Sequence, residues 1–78
     1  MINASSIREH MEVVGSDGKH VGRVDHIKGE EIELAKFDFG AGLAHHLVPL
    51  SWVDHIEKDQ VCLSMTGDEA KARWTKEH

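Results

Sequence analysis

Residues 11 to 24 read Met-Glu-Val-Val-Gly-Ser-Asp-Gly-Lys-His-Val-Gly-Arg-Val, and this stretch decides the fold. Asp17-Gly18 is typical of a two-residue β-hairpin turn, because both central residues of such a turn need positive φ. The valines on either side favour extended backbone. After the turn the apolar residues recur with a period of three instead of two, so we expect a β-bulge near Gly22. The stretch therefore predicts an antiparallel hairpin.

Short runs of Val, Ile and Leu, separated by closely spaced turn residues, continue from residue 11 to about residue 65. Within residues 31 to 36 apolar and charged side chains alternate, which is the pattern of a half-buried strand. Farther along the chain, Ile56 and Val61 are expected to pair across a turn at Lys58-Asp59. Many short strands with frequent turns are typical of an antiparallel β-barrel or sandwich.

The clearest helix signal lies near the C-terminal end, where Thr66-Gly67-Asp68-Glu69 forms a capping box. We expect a short helix over about residues 67 to 76, docked on the strands by Trp74. Because 78 residues leave room for one hydrophobic core, residues 1 to 78 are predicted to form a single domain. The predicted fold class is mainly β: a small antiparallel β-barrel of about six short strands with one short C-terminal helix.

Composition argues against several kinds of partner. The net charge is −5 and the nine basic residues are scattered, which argues against nucleic acid, whose affinity comes mostly from Lys and Arg. No run approaches the ~20 apolar residues of a membrane helix, so no membrane association is expected. Cys62 is the single cysteine, which excludes an internal disulfide and favours a soluble, cytoplasmic protein.

A resemblance to a known family rests on the elements Asp-Gly-x-x-Val-Gly-x-Val (17–24), Val-Pro-Leu (48–50) and Val-x-Leu (61–63). Across residues 7 to 65 the chain resembles the PRC-barrel superfamily. It is most similar there to a bacterial family of short stand-alone PRC-barrel-like proteins of unknown function. The resemblance implies a small barrel that acts as a binding or docking module, since its relatives share no catalytic residue set.

Seven histidines are the unusual feature of the composition. His45 and His46 are adjacent, so in a strand they point to opposite faces and cannot easily share a metal ion. The helical i, i+4 spacing of a metal site is also missing, and we therefore expect no metal and no cofactor. The alternative is a metal- or pH-responsive protein, favoured if three or more His, Asp or Glu side chains converge within ligand distance. Its candidates are the surface histidines His45, His46 and His55, with His10, His20 and His26.

A weaker alternative is a small thiol enzyme. Cys62 lies opposite His55 if the Lys58-Asp59 turn forms, and a Cys–His pair is the minimum for thiol catalysis. Nothing near this pair in the sequence supplies an oxyanion hole, so we expect no enzymatic activity. The glycine-rich residues 37 to 44 lack the lysine of a phosphate-binding loop, and they are predicted to form a connection, with a ligand-binding loop as the alternative.

The leading prediction is a non-catalytic binding or assembly module that forms a homodimer and docks onto a larger protein partner. Neighbouring residues in a strand face opposite ways, so Leu47 and Val48 cannot both enter the core. Exposed apolar patches usually mark interfaces, and interfaces favour tryptophan. Leu47, Val48, Leu50 and Trp52 are therefore the candidate interface.

Overall fold

The computed structural model describes residues 4–35 and 45–77. Within them the chain is mainly β with one short α-helix, as predicted, and its seven strands form a single sheet in the order β5-β6-β1-β2-β3-β4-β7. The elements are β1 (Glu12–Val14), β2 (His20–Lys28), β3 (Glu31–Leu34), β4 (His45–Pro49), β5 (Val53–Glu57), β6 (Gln60–Leu63), α1 (Gly67–Arg73) and β7 (Thr75–Glu77), with short 3-10 turns at Ala4–Ser6 and Leu50–Trp52.

The predicted closed, antiparallel barrel is wrong. The sheet is not closed, and β5 and β7 lie at its two edges. Five neighbouring pairs are antiparallel, but β1 runs parallel to β6, so the pairing is mixed. The physical reason is that β1 and β6 meet from distant parts of the chain. Turn spacing, the signal available in the sequence, reports only on strands joined by a short loop.

The hairpin between β1 and β2 has a loop one residue longer than predicted. The Gly15 N–H donates to the Lys19 carbonyl at 2.9 Å and the Gly18 N–H donates to the Gly15 carbonyl at 2.9 Å, which leaves residues 16 to 18 as a three-residue loop. Of these, only Gly18 has positive φ, at 84°. A three-residue loop with glycine in the left-handed position is the next commonest hairpin connection.

Two bulges shape β2. The first makes Val21 the extra residue opposite β1, beside Gly22, where the sequence predicts a bulge. The second makes Asp25 the extra residue opposite β3, because His26 is the residue that pairs with Glu33. A bulge interrupts the alternation of side chains, so Asp25 and His26 are neighbours that both lie outside the core.

The core contains apolar side chains from both halves of the sheet, together with Ala70 of α1. Val48 is among them with 0% exposure, so its predicted place at an interface is wrong. The reason is the register of β4, where Val48 pairs with Ile32 on the core side while Leu47 lies on the other face. The largest fully buried side chains are Ile32, Leu34, Leu63, Val13, Val21, Val24, Val48 and Val61.

Helix α1 begins as predicted and ends three residues early. The Thr66 hydroxyl accepts a hydrogen bond from the Glu69 N–H at 3.2 Å, which is the expected N-cap. Trp74 has extended backbone, with φ −66° and ψ 159°, because the chain leaves the helix there to form β7 against β4. No helix of the described residues is long and apolar enough to cross a membrane.

Candidate functional site

Two groups of side chains lie outside the core and offer chemistry. The first, which we call the Glu33 cluster, consists of Asp25, His26, Lys28, Glu33 and His45 on β2, β3 and β4. The second is an open groove beside β5 that contains Cys62; we call it the Cys62 groove. Their positions in the sheet decide which predicted site residues meet.

Glu33 is the centre of the first cluster. Its neighbours in β3, Ile32 and Leu34, are core residues, so alternation places the Glu33 side chain on the opposite face of the sheet. Glu33 is nevertheless only 3% exposed. Its Oε1 lies 3.1 Å from Nε2 of His26, and its Oε2 lies 3.6 Å from Nζ of Lys28. A buried carboxylate is costly unless it is paired, so these cationic and hydrogen-bonding neighbours offset the loss of water around Glu33.

Asp25 and His45 complete the cluster. The Oδ2 atom of Asp25 lies 3.5 Å from Nδ1 of His26 and 3.9 Å from Nδ1 of His45. One ligand atom each from Asp25, Glu33 and His45 lie within 4.8 Å of one another. Three His, Asp or Glu side chains on three different strands therefore approach one another, but 4.8 Å is wider than the ligand distance that the metal-responsive alternative requires.

The His45 ring is held by a backbone carbonyl. Its Nδ1 lies 2.8 Å from the Leu34 oxygen. Since a carbonyl oxygen can only accept a hydrogen bond, Nδ1 carries the proton and Nε2 carries the lone pair. Neutral imidazole with one nitrogen tied to a carbonyl is the usual form of a metal-binding histidine.

Sequence reasoning found the histidines of this cluster but missed its carboxylates. The alternation over residues 31 to 36 predicts a solvent-facing Glu33 between Ile32 and Leu34, and no site role is predicted for Asp25. The sequence does contain a signal for the second bulge. Val24 and Ile27 are three residues apart and both pack toward the core, which strict alternation does not allow.

The other histidines that the structure describes do not join the cluster. The prediction that His46 is a surface histidine is wrong, because it is 8% exposed and its ring stacks on Trp74 with ring centroids 3.9 Å apart. The Nδ1 atom of His20 lies 2.8 Å from a carboxylate oxygen of Glu12 in another part of the sheet. His10 is exposed and lies two residues before β1, so among the described histidines only His26 and His45 meet in this cluster.

The Cys62 groove confirms one register prediction. His55 lies directly opposite Cys62, as predicted from the turn at Lys58-Asp59, and both residues line the groove. The groove has a volume of about 460 Å³. Its described lining residues are Val14, Gly15, Ser16, Gly18, Asp54, His55, Glu57, Gln60, Cys62, Leu63 and Ser64.

The chemistry of the groove is acidic. Asp54 and Glu57 flank His55, whose Nδ1 lies 2.8 Å from Asp54 and whose Nε2 lies 3.8 Å from Glu57. Burial, followed by the charges of Glu57 and Asp54, raises the pKa of the Cys62 thiol. The thiolate is the reactive form of cysteine, so this environment opposes nucleophilic chemistry at Cys62.

The four residues of the candidate interface have separate environments. Leu47 is half-buried on the outer face of β4, opposite Glu33 in the register. Leu50 and Trp52 pack partly against the core. The Arg73 guanidinium lies 5.7 Å from the centre of the Trp52 ring, within the range of a cation–π contact. The glycine-rich residues 37 to 44 lie outside the described residues.

Comparison with known proteins gives a family. The model of a family described as an uncharacterized protein conserved in bacteria (DUF2171) matches residues 7–71. The chain belongs to this family. The match includes the Glu33 cluster and the Cys62 groove, and it ends within α1, before β7. No curated protein and no solved structure matches the chain.

Proposed function

We propose that this chain is a non-catalytic binding module that takes an extended basic segment of a partner protein at the β5 edge. The observation that carries the proposal is that the acidic Cys62 groove, which extends over β6 to the β1–β2 loop, has the edge strand β5 as one of its sides. The resemblance of residues 7 to 65 to PRC-barrel domains implies the same general role. The single cysteine supports a cytoplasmic location for it.

An edge strand offers a partner backbone hydrogen bonds. One side of β5 pairs with β6 and the other side has no neighbouring strand in the sheet of the described residues. An extended segment added to such an edge gains affinity from the main chain and specificity from alternate side chains. Asp54 and Glu57 are both exposed, and they bring two negative charges to this edge. Charge complementarity therefore favours lysine or arginine in the partner segment.

The same groove supports binding over catalysis. Thiol catalysis needs a thiolate activated by a base, but the raised pKa of Cys62 favours the neutral thiol. The ring nitrogens of His55 contact Asp54 and Glu57. The Sγ atom of Cys62 lies 4.0 Å from the Gln60 carbonyl oxygen, to which it donates. These contacts argue against the activated pair on which the thiol-enzyme alternative depends.

The test is binding of a synthetic alternating Lys-Val peptide, measured by isothermal titration calorimetry at low and moderate salt. We expect the double variant D54N/E57Q to bind at least tenfold more weakly, and added salt to weaken binding to the wild type. The matched control E9Q/E30Q removes the same charge from exposed residues outside the groove. Equal losses in the two double variants, or equal binding of a Glu-Val peptide, would contradict the proposal.

A second candidate function, a metal-responsive protein, is favoured by the convergence of Asp25, Glu33 and His45. A protein that binds a metal ion in the folded state is stabilised by it through mass action. We expect the melting temperature to be higher in ZnCl₂ than in EDTA. An unchanged melting temperature would remove this candidate and leave the groove proposal intact. The pH-responsive form of the alternative stays a prediction.

A further inference from the structure

We propose that the Glu33 cluster is a binding site for a divalent transition metal of the zinc class, with Asp25, Glu33 and His45 as ligands. The inference rests on the second candidate function and is independent of the Cys62 groove. It assigns the ligands to three strands that the sheet holds side by side, β2, β3 and β4.

Metal binding requires the three ligand atoms to move closer together. Zinc binds imidazole nitrogen and carboxylate oxygen at about 2.0–2.2 Å in tetrahedral geometry, so two ligands of one ion lie about 3.4 Å apart. The ligand atoms of the three residues already lie within 4.8 Å of one another. His26 lies 3.1 Å from Glu33 and 3.5 Å from Asp25, where it supports the ligands or becomes a fourth.

The ligand types select the class of metal. Imidazole and carboxylate together suit Zn²⁺, Co²⁺ and Ni²⁺, whereas Ca²⁺ and Mg²⁺ take oxygen ligands. The Nδ1 atom of His45, which lies 3.9 Å from Asp25, is bonded to the Leu34 carbonyl, so a metal ion would bind the other ring nitrogen, Nε2. Burial of Glu33 removes competing water from its carboxylate and strengthens its attraction for a cation.

Lys28 is an internal competitor for the site. Its ammonium lies 3.6 Å from Oε2 of Glu33 and shares the carboxylate that a metal ion needs. A bound divalent ion repels this ammonium, so the lysine lowers the affinity of the site. Removal of the Lys28 charge should therefore tighten metal binding, an effect that a purely structural role of the cluster does not predict.

The experiment titrates the full chain with ZnCl₂ by isothermal titration calorimetry and with CoCl₂ by visible absorption. We expect one ion per chain, a weakening of at least tenfold in D25N and in H45A, and a severalfold tightening in K28M. The matched control is H55A, which removes an exposed histidine that also lies between two carboxylates. These variants avoid the risk that substitution of the buried Glu33 prevents folding.

The possible outcomes distinguish the assignment of the ligands from the metal-responsive function. Stabilisation by zinc with unchanged affinity in D25N and H45A would keep the metal-responsive candidate and overturn the assignment of its ligands. An equal loss in H55A would also overturn the assignment. Absence of zinc and cobalt binding to the wild type would overturn both, and the binding role of the Cys62 groove would still stand on its own test.

Discussion

At the scale of single residues, Gly15 shows how closely the hairpin loop approaches the start of α1. A Cβ atom added at Gly15 would lie 2.1 Å from the backbone nitrogen of Gly67, a distance that no real contact allows. Because the clash is with backbone, relief requires the helix to move away from the hairpin. The absence of a side chain at Gly15 is therefore a requirement of this packing.

We expect Gly15→Ala to lower the free energy of unfolding by about 3 kcal/mol or more, at the upper end of overpacking effects. Gly18→Ala is the matched control, since Gly18 has φ 84° and open space within 4 Å of its added Cβ. Its expected cost is the backbone strain alone, about 1 kcal/mol. Urea denaturation measures both values. An equal decrease in the free energy of unfolding of the two variants would mean that Gly15 does not lie this close to Gly67 in solution.

The Cys62 thiol gives a second prediction at this scale. Because burial and neighbouring carboxylates raise its pKa, we expect alkylation by iodoacetamide at pH 7.5 to be slower than for free glutathione. In urea the folded environment is lost, and the rate should rise to that of an ordinary thiol. A folded-state rate above that of glutathione would restore the thiol-enzyme alternative.

Among structural elements, the contact between the β1–β2 loop and α1 depends on a carboxylate. The Asp17 Oδ1 accepts from the Gly67 N–H at 3.1 Å and from the Lys19 N–H at 3.2 Å. The hydrogen bond from Gly67 is the largest cause of the lowered pKa of Asp17. Asp17 therefore acts as an additional cap for the first turn of the helix, supplied from a distant loop.

A lowered folded-state pKa fixes the direction of a pH effect. The contribution of Asp17 is fully present above the unfolded pKa of about 3.9 and is lost as pH falls through the lower folded value. We expect the melting temperature to fall below pH 4, and to fall less steeply in Asp17→Asn, which keeps an acceptor oxygen without the titration. Asp68→Asn is the control, since Asp68 pairs with Lys19 at 3.1 Å. Identical acid profiles in wild type and Asp17→Asn would contradict this role.

The elements that the sequence predicted well are those with local signals. The turn at Lys58-Asp59, where both residues have positive φ, and the N-cap at Thr66 depend on residues a few positions apart. The parallel contact of β1 with β6 and the end of α1 at Arg73 depend on partners elsewhere in the chain. The Glu33 cluster belongs to the second group, because a bulge and three strands create it together.

For the whole molecule, self-association stays a prediction. A charged substitution at Val48 cannot test it, because a buried charge in the core would unfold the domain. Leu47 lies on the outer face of the same strand, so Leu47→Glu adds the charge at a half-buried position away from the core. We expect a wild-type homodimer at micromolar concentration and a monomeric Leu47→Glu variant.

Sedimentation equilibrium decides the matter, with Glu30→Lys as a control for a charge change at an exposed turn. A wild type that is monomeric throughout the micromolar range would end the homodimer hypothesis. A dimer that persists in Leu47→Glu would move the interface away from the outer face of β4.

The parallel pairing of β1 with β6 also predicts which strand pairs form first during folding. Glu12 and Gln60 are 48 residues apart, whereas β1, β2, β3 and their turns are close neighbours in the chain. Contacts between distant segments form late because the loop that joins them has to close first. During synthesis we therefore expect β1 to stay an edge strand until β6 has emerged. In pulse-labelled hydrogen exchange during refolding, the amides of β1 that face β6 should gain protection after those shared by β2 and β3.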